Sequence, residues 1–203
     1  MKAIFFDFDG VIADTERLHY ECWTQMLEPL GIRLTWEYYA ANCIGVSDRA
    51  MLATLAPLAD PPADMERLEH VYARKRAMFR EAAVAAPPVH RDTQVLLEEL
   101  NGFKKALVTS SCRSEVQPIL EAAGIFRYFD VVVYGDDVTR LKPEPDPYLL
   151  AQERLGVWGG VALEDSNAGI ASAQAAGLEV VQIHSAADVA PQLRLRLSSF
   201  TNG

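Results

Sequence analysis

The feature that most constrains the fold is the alternation of short apolar runs with helical patterns in the second half of the chain. Beyond Pro88 the predicted strands are Ala106–Val108, Val131–Tyr134, Val161–Leu163 and Val180–Ile183. The predicted helices between and around them are Arg91–Leu100, Ser114–Ala123, Asp146–Leu155, Ala168–Ala176 and Pro191–Leu197. Strands and helices that alternate in this way form a doubly wound parallel sheet, so the fold class predicted is α/β.

One more apolar run, Ala3–Phe6, is separated from the others by a long stretch without a strand candidate. This stretch predicts a helix that ends at Gly31, followed by helices over Thr35–Asn42, Ser47–Leu58 and Asp64–Ala83. An insertion beside the carboxyl end of a strand lies over the ligand crevice of a parallel sheet. We therefore predict a Rossmann-like core domain from residues 1–15 and 89–203, and an inserted all-α cap domain from residues 16–88.

Composition narrows the possible partners. The chain has 203 residues, of which 50% are hydrophobic, and a formal net charge of -9, which argues against nucleic acid or an anionic membrane as a partner. Asp7 interrupts the first apolar run, so neither a signal peptide nor a membrane-spanning helix is expected. Cys22, Cys43 and Cys112 lack C-x-x-C spacing. They predict reduced thiols in a cytoplasmic protein, which we expect to be a monomer.

Two carboxylates, Asp7 and Asp9, directly follow the first predicted strand, and Gly10 lets the chain turn after them. Side chains two residues apart on a strand share a face, so both can converge at its carboxyl end. Carboxylates beside an apolar core require a cation or a proton to neutralise them. Taken alone, this pattern is compatible either with a solvent-facing turn or with a metal-assisted nucleophile that has an acid beside it.

Polar segments also follow later strands. Thr109-Ser110-Ser111 comes after Ala106–Val108, Lys142 lies in the proline-rich segment Leu141–Pro147, and Glu164-Asp165-Ser166 comes after Val161–Leu163. Each segment has a structural alternative: hydroxyls that cap a helix, a solvated lysine, or an N-capped helix. Hydroxyl and backbone N–H groups at a strand-to-helix junction can also hold an anionic oxygen.

These segments together resemble the four motifs of the haloacid dehalogenase superfamily. Asp7–Thr15 is similar to D-x-D-G-[TV]-[LI]-x-D-[ST], Lys142–Pro147 to K-P-x-P-x-P, and Glu164–Gly169 to E-D-S-x-x-G. The resemblance covers nearly the whole chain. It implies that Asp7 is the nucleophile and that Asp9 is the acid and base. It also implies that Thr109, Ser110 and Lys142 bind the phosphoryl group. The implied Mg²⁺ ligands are Asp7, the carbonyl of Asp9 and Asp165, with Glu164 in support.

A charge count is consistent with this set. Asp7, Asp9, Glu164 and Asp165 contribute four negative charges, and one Mg²⁺ ion with Lys142 returns three positive charges. If Asp9 carries the proton that it will donate, the site is neutral and can accept a phosphate monoester of charge about -2.

The helical insertion resembles the caps of beta-phosphoglucomutase-like members. His19 and Trp23 form an H-x-x-x-W pattern, and Gly45-Val46-Ser47, which precedes Asp48-Arg49, resembles a G-V-S loop that reaches the sugar. On the last cap helix Lys75 is predicted to face the site. A cap-core role for Trp23, a surface histidine and a solvated basic helix face stay open as alternatives.

Arg113 marks a departure from the mutase pattern, in which a lysine and an asparagine bind a second phosphate. Arg113 can still bind a distal phosphate or carboxylate, but the change favours a phosphatase. We predict a Mg²⁺-dependent phosphatase that acts on a small sugar phosphate or related phosphometabolite through an aspartyl-phosphate. The alternatives are a beta-phosphoglucomutase and, from another class, a non-enzymatic phospho-receiver or a ligand-binding relative.

Overall fold

The architecture is given by a computed structural model that describes residues 3–44, 46, 48–62 and 64–201. Gly45 and Ser47, two of the predicted substrate residues, lie outside the described residues. Within the described part of the chain, no helix has both the length and the apolar character needed to cross a membrane.

Five parallel strands form a single sheet. They are β1 (Ala3–Phe6), β2 (Lys104–Val108), β3 (Val131–Val133), β4 (Val161–Glu164) and β5 (Glu179–Gln182), in the order β3-β2-β1-β4-β5. The central strand is β1, in which Phe5 lies opposite Ala106 of β2 and Ala162 of β4. From β1 the chain adds β2 and then β3 on one side of the sheet, and it then returns across β1 to form β4 and β5 on the other side. The carboxyl ends of β1 and β4 therefore flank the switch point where α/β sheets bind ligands.

The helices are α1 (Glu16–Leu27), α2 (Trp36–Asn42), α3 (Asp48–Leu55), α4 (Met65–Ala85), α5 (Arg91–Glu99), α6 (Arg113–Ala122), α7 (Asp146–Leu155), α8 (Asn167–Ala175) and α9 (Val189–Thr201). In the sheet-containing part, α7 packs on β2, β3 and α8, while α5 packs on α9. Right-handed crossovers that run in opposite directions from β1 place helices on both faces of the sheet. The predicted α/β fold class is confirmed.

Alternation along the strands explains the core. On β1, Phe5 faces the layer that contains Tyr148 of α7, and the two rings meet edge to face with centroids 6.3 Å apart. Its neighbour Phe6 meets Phe129 with centroids 6.0 Å apart. Because successive side chains point to opposite faces of a strand, the fully buried β1 must be apolar on both sides until Asp7.

The bounds of several elements differ from those predicted from the sequence. The helix predicted over Ser47–Leu58 ends at Leu55, and Ala56–Leu58 continues as a 3₁₀ turn that contains Pro57. Proline lacks the N–H that the α-helical ladder requires, so the helix tightens at this point. The predictions also placed β5 one residue late, because the strand begins at the polar residue Glu179 and ends at Gln182. They made α9 too short at both ends, because this helix runs from Val189 to Thr201.

The chain divides into two compact units, Met1–Asp14 with Pro87–Gly203, and Thr15–Ala86. The first unit contains the sheet, and the second contains α1 to α4 around a core of its own that includes Trp23, Leu27 and Leu68. The independence of these units as a core domain and a cap domain stays a prediction.

A pair of substitutions on α5 tests the assignment of its buried face. Leu97 is fully buried, whereas Val95 is 44% exposed. Leu97→Ala should lower the free energy of unfolding by about 2–5 kcal/mol, because it removes packed methyl groups and leaves a cavity. Val95→Ala should change it by less than about 0.5 kcal/mol. Urea denaturation followed by circular dichroism measures both, and equal losses would contradict the assigned face.

Candidate active site

Three carboxylates converge where β1 and β4 end. Asp7 follows β1, Glu164 is the last residue of β4 and Asp165 follows it. The N–H of Asp7 donates to the carbonyl of Leu163 at 3.1 Å, which continues the pairing of the two strands by one residue. One carboxylate oxygen from each acid lies within 4.8 Å of one from each of the others. The sheet register thus brings together acids that are separated by more than 150 residues in the sequence.

Lys142 supplies the positive charge of this cluster. Its ammonium group donates to Asp7 Oδ1 at 2.6 Å, to Glu164 Oε1 at 2.5 Å and to the carbonyl of Val108 at 2.9 Å. Burial of Lys142 favours the neutral amine, but the charges of Asp7 and Glu164 outweigh burial and raise its pKa. The lysine therefore stays charged and joins the carboxyl ends of β1, β2 and β4.

Glu164 is completely buried, and only one of its oxygens has a partner in the part of the chain that the structure describes. Oε1 accepts from Lys142 and from the hydroxyl of Tyr148 at 2.5 Å, whereas Oε2 accepts no hydrogen bond. Burial, followed by the charge of Asp7, raises the pKa of Glu164 to about 7 against the opposing effect of Lys142. A β-carbon on Gly169 would collide with this carboxylate, so the start of α8 must approach it as bare backbone.

Asp165 lies at the exposed rim of the cluster. Partial desolvation, then the charges of Asp7 and Asp9, raise the pKa of its carboxyl to about 7. Gly10 turns beneath it with a φ of 72°, and a β-carbon there would collide with Asp165 Oδ2. Glycine is required at this position both by the left-handed backbone and by the close approach.

The donor set of this cluster fits a hard divalent cation. All the groups are carboxylate oxygens, and one of these oxygens is buried without a partner among the described residues. The pKa values of Glu164 and Asp165 are raised by burial first and then by neighbouring negative charge. A cation bound among Asp7, Glu164 and Asp165 would relieve that repulsion. Mg²⁺ and Ca²⁺ prefer such oxygen ligands, whereas Zn²⁺ sites are typically built with histidine and cysteine.

A chain of hydroxyls lies beside the acids. Thr109 is buried after β2, and its Oγ1 accepts from the N–H of Ser111 at 3.0 Å. The Ser111 hydroxyl in turn donates to Asp9 Oδ2 at 2.9 Å. Ser110 between them is exposed. The structure thus brings Thr109 and Asp9 together through Ser111, and it joins Asp7, Lys142 and Glu164 through hydrogen bonds. Asp165 lies within 4.8 Å of the carboxylates of Asp7 and Glu164.

The helical unit has a polar cluster of its own. Lys75 is 1% exposed, and its ammonium group donates to His19 Nδ1 at 2.8 Å and to Asp48 Oδ2 at 3.0 Å. Trp23 is fully buried and donates from Nε1 to Asp48 Oδ1 at 3.3 Å. His19 stacks on Phe79 with ring centroids 3.9 Å apart. His19 and Trp23, two cap residues predicted from the sequence, therefore meet Asp48 around the buried Lys75.

The tautomer of His19 follows from its contact with Lys75. Burial, and then the positive charge of Lys75, lower the pKa of His19 well below its ordinary value, so the imidazole is neutral near pH 7. An ammonium group has donors only, so Nδ1 must be the acceptor and Nε2 must carry the proton. His19 can therefore donate one hydrogen bond from Nε2.

Two predicted substrate arginines are engaged in ion pairs. Arg49 contacts Glu69 at 3.2 Å, and its side chain is 73% exposed. Arg113 donates to Asp137 Oδ1 at 3.1 Å and lies over the ring of Tyr134. Val46 is exposed. Substrate contacts of these three residues stay predictions.

Three residues with central contacts were missed by the sequence analysis: Ser111, Tyr148 and Asp48. Ser111 was quoted in the hydroxyl run, but its spacing from Asp9 in the sequence gives no sign that the two groups meet. Tyr148 directly follows the lysine segment, at a helix position where any apolar residue would fit. Only its hydroxyl group indicates in the sequence that it could bind a buried polar group such as Glu164. Asp48 directly follows the predicted G-V-S loop, and an acid at the start of a helix is explained by the helix dipole alone, so the sequence carries no signal of its contact with Lys75.

Comparison with known proteins agrees with this geometry. The model of the haloacid dehalogenase-like hydrolase family matches residues 4–183. The phosphorylated carbohydrates phosphatase of Thermotoga maritima is 33% identical over 93% of this chain and 88% of its own length. The fructose-1-phosphate phosphatase YqaB of Escherichia coli is 30% identical over 89% of this chain and 95% of its own length.

Among solved structures, one from Thermotoga maritima described as a candidate beta-phosphoglucomutase superposes with a TM-score of 0.80 at 28% identity. The match covers 96% of this chain and 99% of that one. The family model spans both units, and the sheet, the acids and the buried lysine occupy the segments whose sequence resembles the family motifs. The chain therefore belongs to the haloacid dehalogenase-like hydrolase family.

Proposed function

We propose that the protein is a Mg²⁺-dependent phosphatase that hydrolyses a small sugar phosphate or a related phosphometabolite. The observation that supports this most is the contact of Lys142 with both Asp7 and Glu164 at the carboxyl ends of the central strands. A charged lysine thus lies against Asp7, one of the three acids that are proposed to hold a cation. The names of the two phosphatase relatives support the substrate class.

Asp7 is the proposed nucleophile. Its Oδ1 accepts from Lys142, so Oδ2 is the oxygen that attacks phosphorus. As the new bond from Asp7 to phosphorus forms, the bond from phosphorus to the ester oxygen breaks in line with it. Asp9 donates a proton to the departing oxygen, which leaves as the sugar hydroxyl. The products of this step are the alcohol, the aspartyl-phosphate and an ionised Asp9.

The second step reverses these roles. Asp9 accepts a proton from water as the water oxygen attacks phosphorus, and the bond between phosphorus and Asp7 breaks. The products are inorganic phosphate, an ionised Asp7 and a protonated Asp9, so the enzyme returns to its starting state. The hydroxyl of Ser111 donates to Asp9 Oδ2, and this hydrogen bond helps to orient the carboxyl group of Asp9 for proton transfer.

The transferred phosphoryl group would be bound by Thr109, Ser110 and Lys142. Thr109 Oγ1 already accepts from the N–H of Ser111, so its own proton is available to a phosphoryl oxygen. The three protons of Lys142 already have acceptors, so this residue stabilises the phosphoryl group mainly through its charge.

Asp7, Asp165 and the carbonyl of Asp9, with Glu164 in support, are the groups that would hold Mg²⁺. When bound, the ion supplies positive charge that offsets the negative charge of the phosphoryl oxygens. The role of the protein's own residues is to keep these oxygens converged, which Lys142 and Tyr148 do by fixing Glu164 Oε1.

Residues of the helical unit are the proposed selectors of the substrate alcohol, together with Arg113. The set predicted from the sequence is His19, Trp23, Gly45, Val46, Ser47, Arg49 and Lys75. Neutral His19 offers a donor at Nε2, which suits a sugar hydroxyl, and Lys75 fixes that tautomer. Cys22, Cys43 and Cys112 form no disulfide within the described residues, which is compatible with the proposed reducing, cytoplasmic location.

A second candidate function is that of a beta-phosphoglucomutase, which the similarity to the Thermotoga maritima structure favours. Both functions use the same aspartyl-phosphate, and they differ in whether water or a sugar hydroxyl receives the phosphoryl group. Conversion of beta-glucose 1-phosphate primed with the bisphosphate, without phosphate release, would favour the mutase.

The main test is phosphate release from a panel of sugar and nucleotide monophosphates with Mg²⁺. Asp7→Asn should lower the turnover of any accepted substrate by roughly 10⁴- to 10⁶-fold, because an amide is not a competent nucleophile. Glu153→Gln, which makes the same charge change on an exposed part of α7, serves as the control. Retained turnover in Asp7→Asn would refute the nucleophile, and no release from any panel member would refute the phosphatase.

Asp9→Asn should slow both the formation and the hydrolysis of the aspartyl-phosphate. Formation should be slowed less when the leaving group is acidic, because such a group departs without a proton from Asp9. We expect a loss of roughly 10²- to 10⁴-fold with a sugar phosphate and a smaller loss in the burst with p-nitrophenyl phosphate. Rapid-quench measurement of the burst and of the steady state separates the two steps. Equal losses with both substrates in the burst would argue against Asp9 as the general acid.

Magnesium should stabilise the protein through the acidic cluster even in the absence of substrate. At 100 times its dissociation constant, Mg²⁺ should raise the Tm above its value in EDTA by roughly 5–10 °C. Asp165→Asn should lose most of this gain without a lower Tm in EDTA, because one repulsive charge is removed. Glu153→Gln should keep the gain. A full gain in Asp165→Asn would place the cation elsewhere.

A further inference from the structure

The turn after β3 is bound to the loop that carries the hydroxyl groups. We call Gly135–Asp137 the acidic turn and Thr109–Cys112 the hydroxyl loop. The N–H of Gly135 donates to the carbonyl of Ser111 at 2.9 Å. Asp136 Oδ2 accepts from the N–H of Arg113, the first residue of α6, at 2.8 Å. Two consecutive residues of the turn thus hold the end of the hydroxyl loop and the helix start beside it.

Gly135 is placed where no side chain fits. A β-carbon at this position would collide with the carbonyl oxygen of Ser110 and would lie 2.9 Å from its carbonyl carbon. Gly135 is not among the glycines with a left-handed backbone, so close approach is the reason for glycine here. The atoms that it approaches are backbone atoms, which cannot rotate away as the end of a flexible side chain can.

The acidic turn is itself anchored from two sides. Asp137 Oδ2 accepts from the backbone N–H of Tyr134 at 3.1 Å and from Arg154 of α7 at 3.1 Å. Asp137 Oδ1 accepts from the guanidinium of Arg113, which lies 4.3 Å from the centroid of the Tyr134 ring. The acidic turn therefore has contacts to Tyr134 and to α7 that do not involve the hydroxyl loop.

Ser111 shows what a shift of the hydroxyl loop would disturb. Its carbonyl is held by Gly135, its N–H by Thr109 Oγ1 at 3.0 Å and its hydroxyl by Asp9 Oδ2 at 2.9 Å. A displacement at the carbonyl therefore alters the hydrogen bonds to Thr109 and to Asp9 at the same time. These are the proposed phosphoryl-binding residue and the proposed acid and base.

We propose that the acidic turn is a positioning element, in which Gly135 and Asp136 set the hydroxyl loop for binding of the phosphoryl group. This inference rests on the proposed function, because it assigns the loop to phosphoryl binding. Neither residue touches the reacting atoms. Asp136 acts through the N–H of Arg113, and Gly135 acts through the backbone of Ser110 and Ser111. Arg113 is accordingly held by Asp136 and Asp137 as part of the same support.

The first test compares Gly135→Ala with Gly102→Ala. At Gly102 a β-carbon would meet nothing within 4 Å, and the backbone is not left-handed, so this variant controls for the change itself. The readouts are the inhibition constant of inorganic phosphate and the Tm. Gly135→Ala should weaken phosphate inhibition by roughly 10- to 100-fold, because a shift of the hydroxyl loop would weaken its hydrogen bonds to a charged phosphate. Gly102→Ala should match the wild type.

A second pair of variants separates positioning from a general loss of stability. Asp136→Asn keeps a side-chain oxygen that accepts from the N–H of Arg113, whereas Asp136→Ala removes the acceptor. We expect the phosphate inhibition constant to stay near the wild-type value in Asp136→Asn and to rise in Asp136→Ala. The contact of Asp136 with the N–H of Arg113 does not depend on Gly135. The comparison of Asp136→Asn with Asp136→Ala therefore tests the positioning role even if Gly135→Ala does not fold.

The outcomes are distinguishable from a failure of the proposed function. A wild-type enzyme that hydrolyses no phosphate ester overturns the proposed function, and the positioning role with it. An active wild type whose phosphate inhibition is unchanged in folded Gly135→Ala, or equal in Asp136→Ala and Asp136→Asn, overturns the positioning role alone. A lower Tm with unchanged phosphate inhibition means that the acidic turn is structural, which also overturns it.

Discussion

The structure depends on one buried cation. Lys142 donates to Asp7, to Glu164 and to the carbonyl of Val108, and it thereby joins the ends of the three central strands. Without it, two carboxylates at the edge of an apolar sheet would face each other unneutralised, and the loss of one partner from a buried pair costs about 3–5 kcal/mol. The same contact that permits acids at this edge also holds the proposed nucleophile in place. Stability and chemistry are therefore not separable at Lys142.

The sheet topology determines which residues this cation can reach. The order β3-β2-β1-β4-β5 places the switch point between β1 and β4, so the acids that follow these strands become neighbours. Gly10 and Gly169 make that proximity possible, because a side chain on either would occupy the space of Asp165 or Glu164. The acidic turn plays the corresponding part on the other side of β2, where Gly135 admits the backbone of Ser110.

Much of this could be predicted from the sequence, because strands and their polar ends leave clear patterns. The apolar runs predicted all five strands, and the resemblance of the polar segments to the family motifs implied that Asp7, Lys142, Glu164 and Asp165 act together. What the sequence could not show is which hydroxyl meets which acid. The contact of Ser111 with Asp9 depends on the path of a turn, and that of Tyr148 with Glu164 depends on how α7 rotates against the sheet.

The helical unit also contains a buried lysine that is paired with a carboxylate. Lys75 is buried beside Asp48 as Lys142 is buried beside Asp7, but its other polar neighbour is a neutral histidine instead of a second acid. An ammonium with one carboxylate forms a pair without net charge, so it adds little to the attraction of an anion. Its physical effect is directional, since it fixes Nε2 of His19 as a donor. In a chain of formal net charge -9, Lys142 at the sheet edge is thus the buried cation proposed to offset a substrate's charge, whereas the charge of Lys75 is balanced within its own unit.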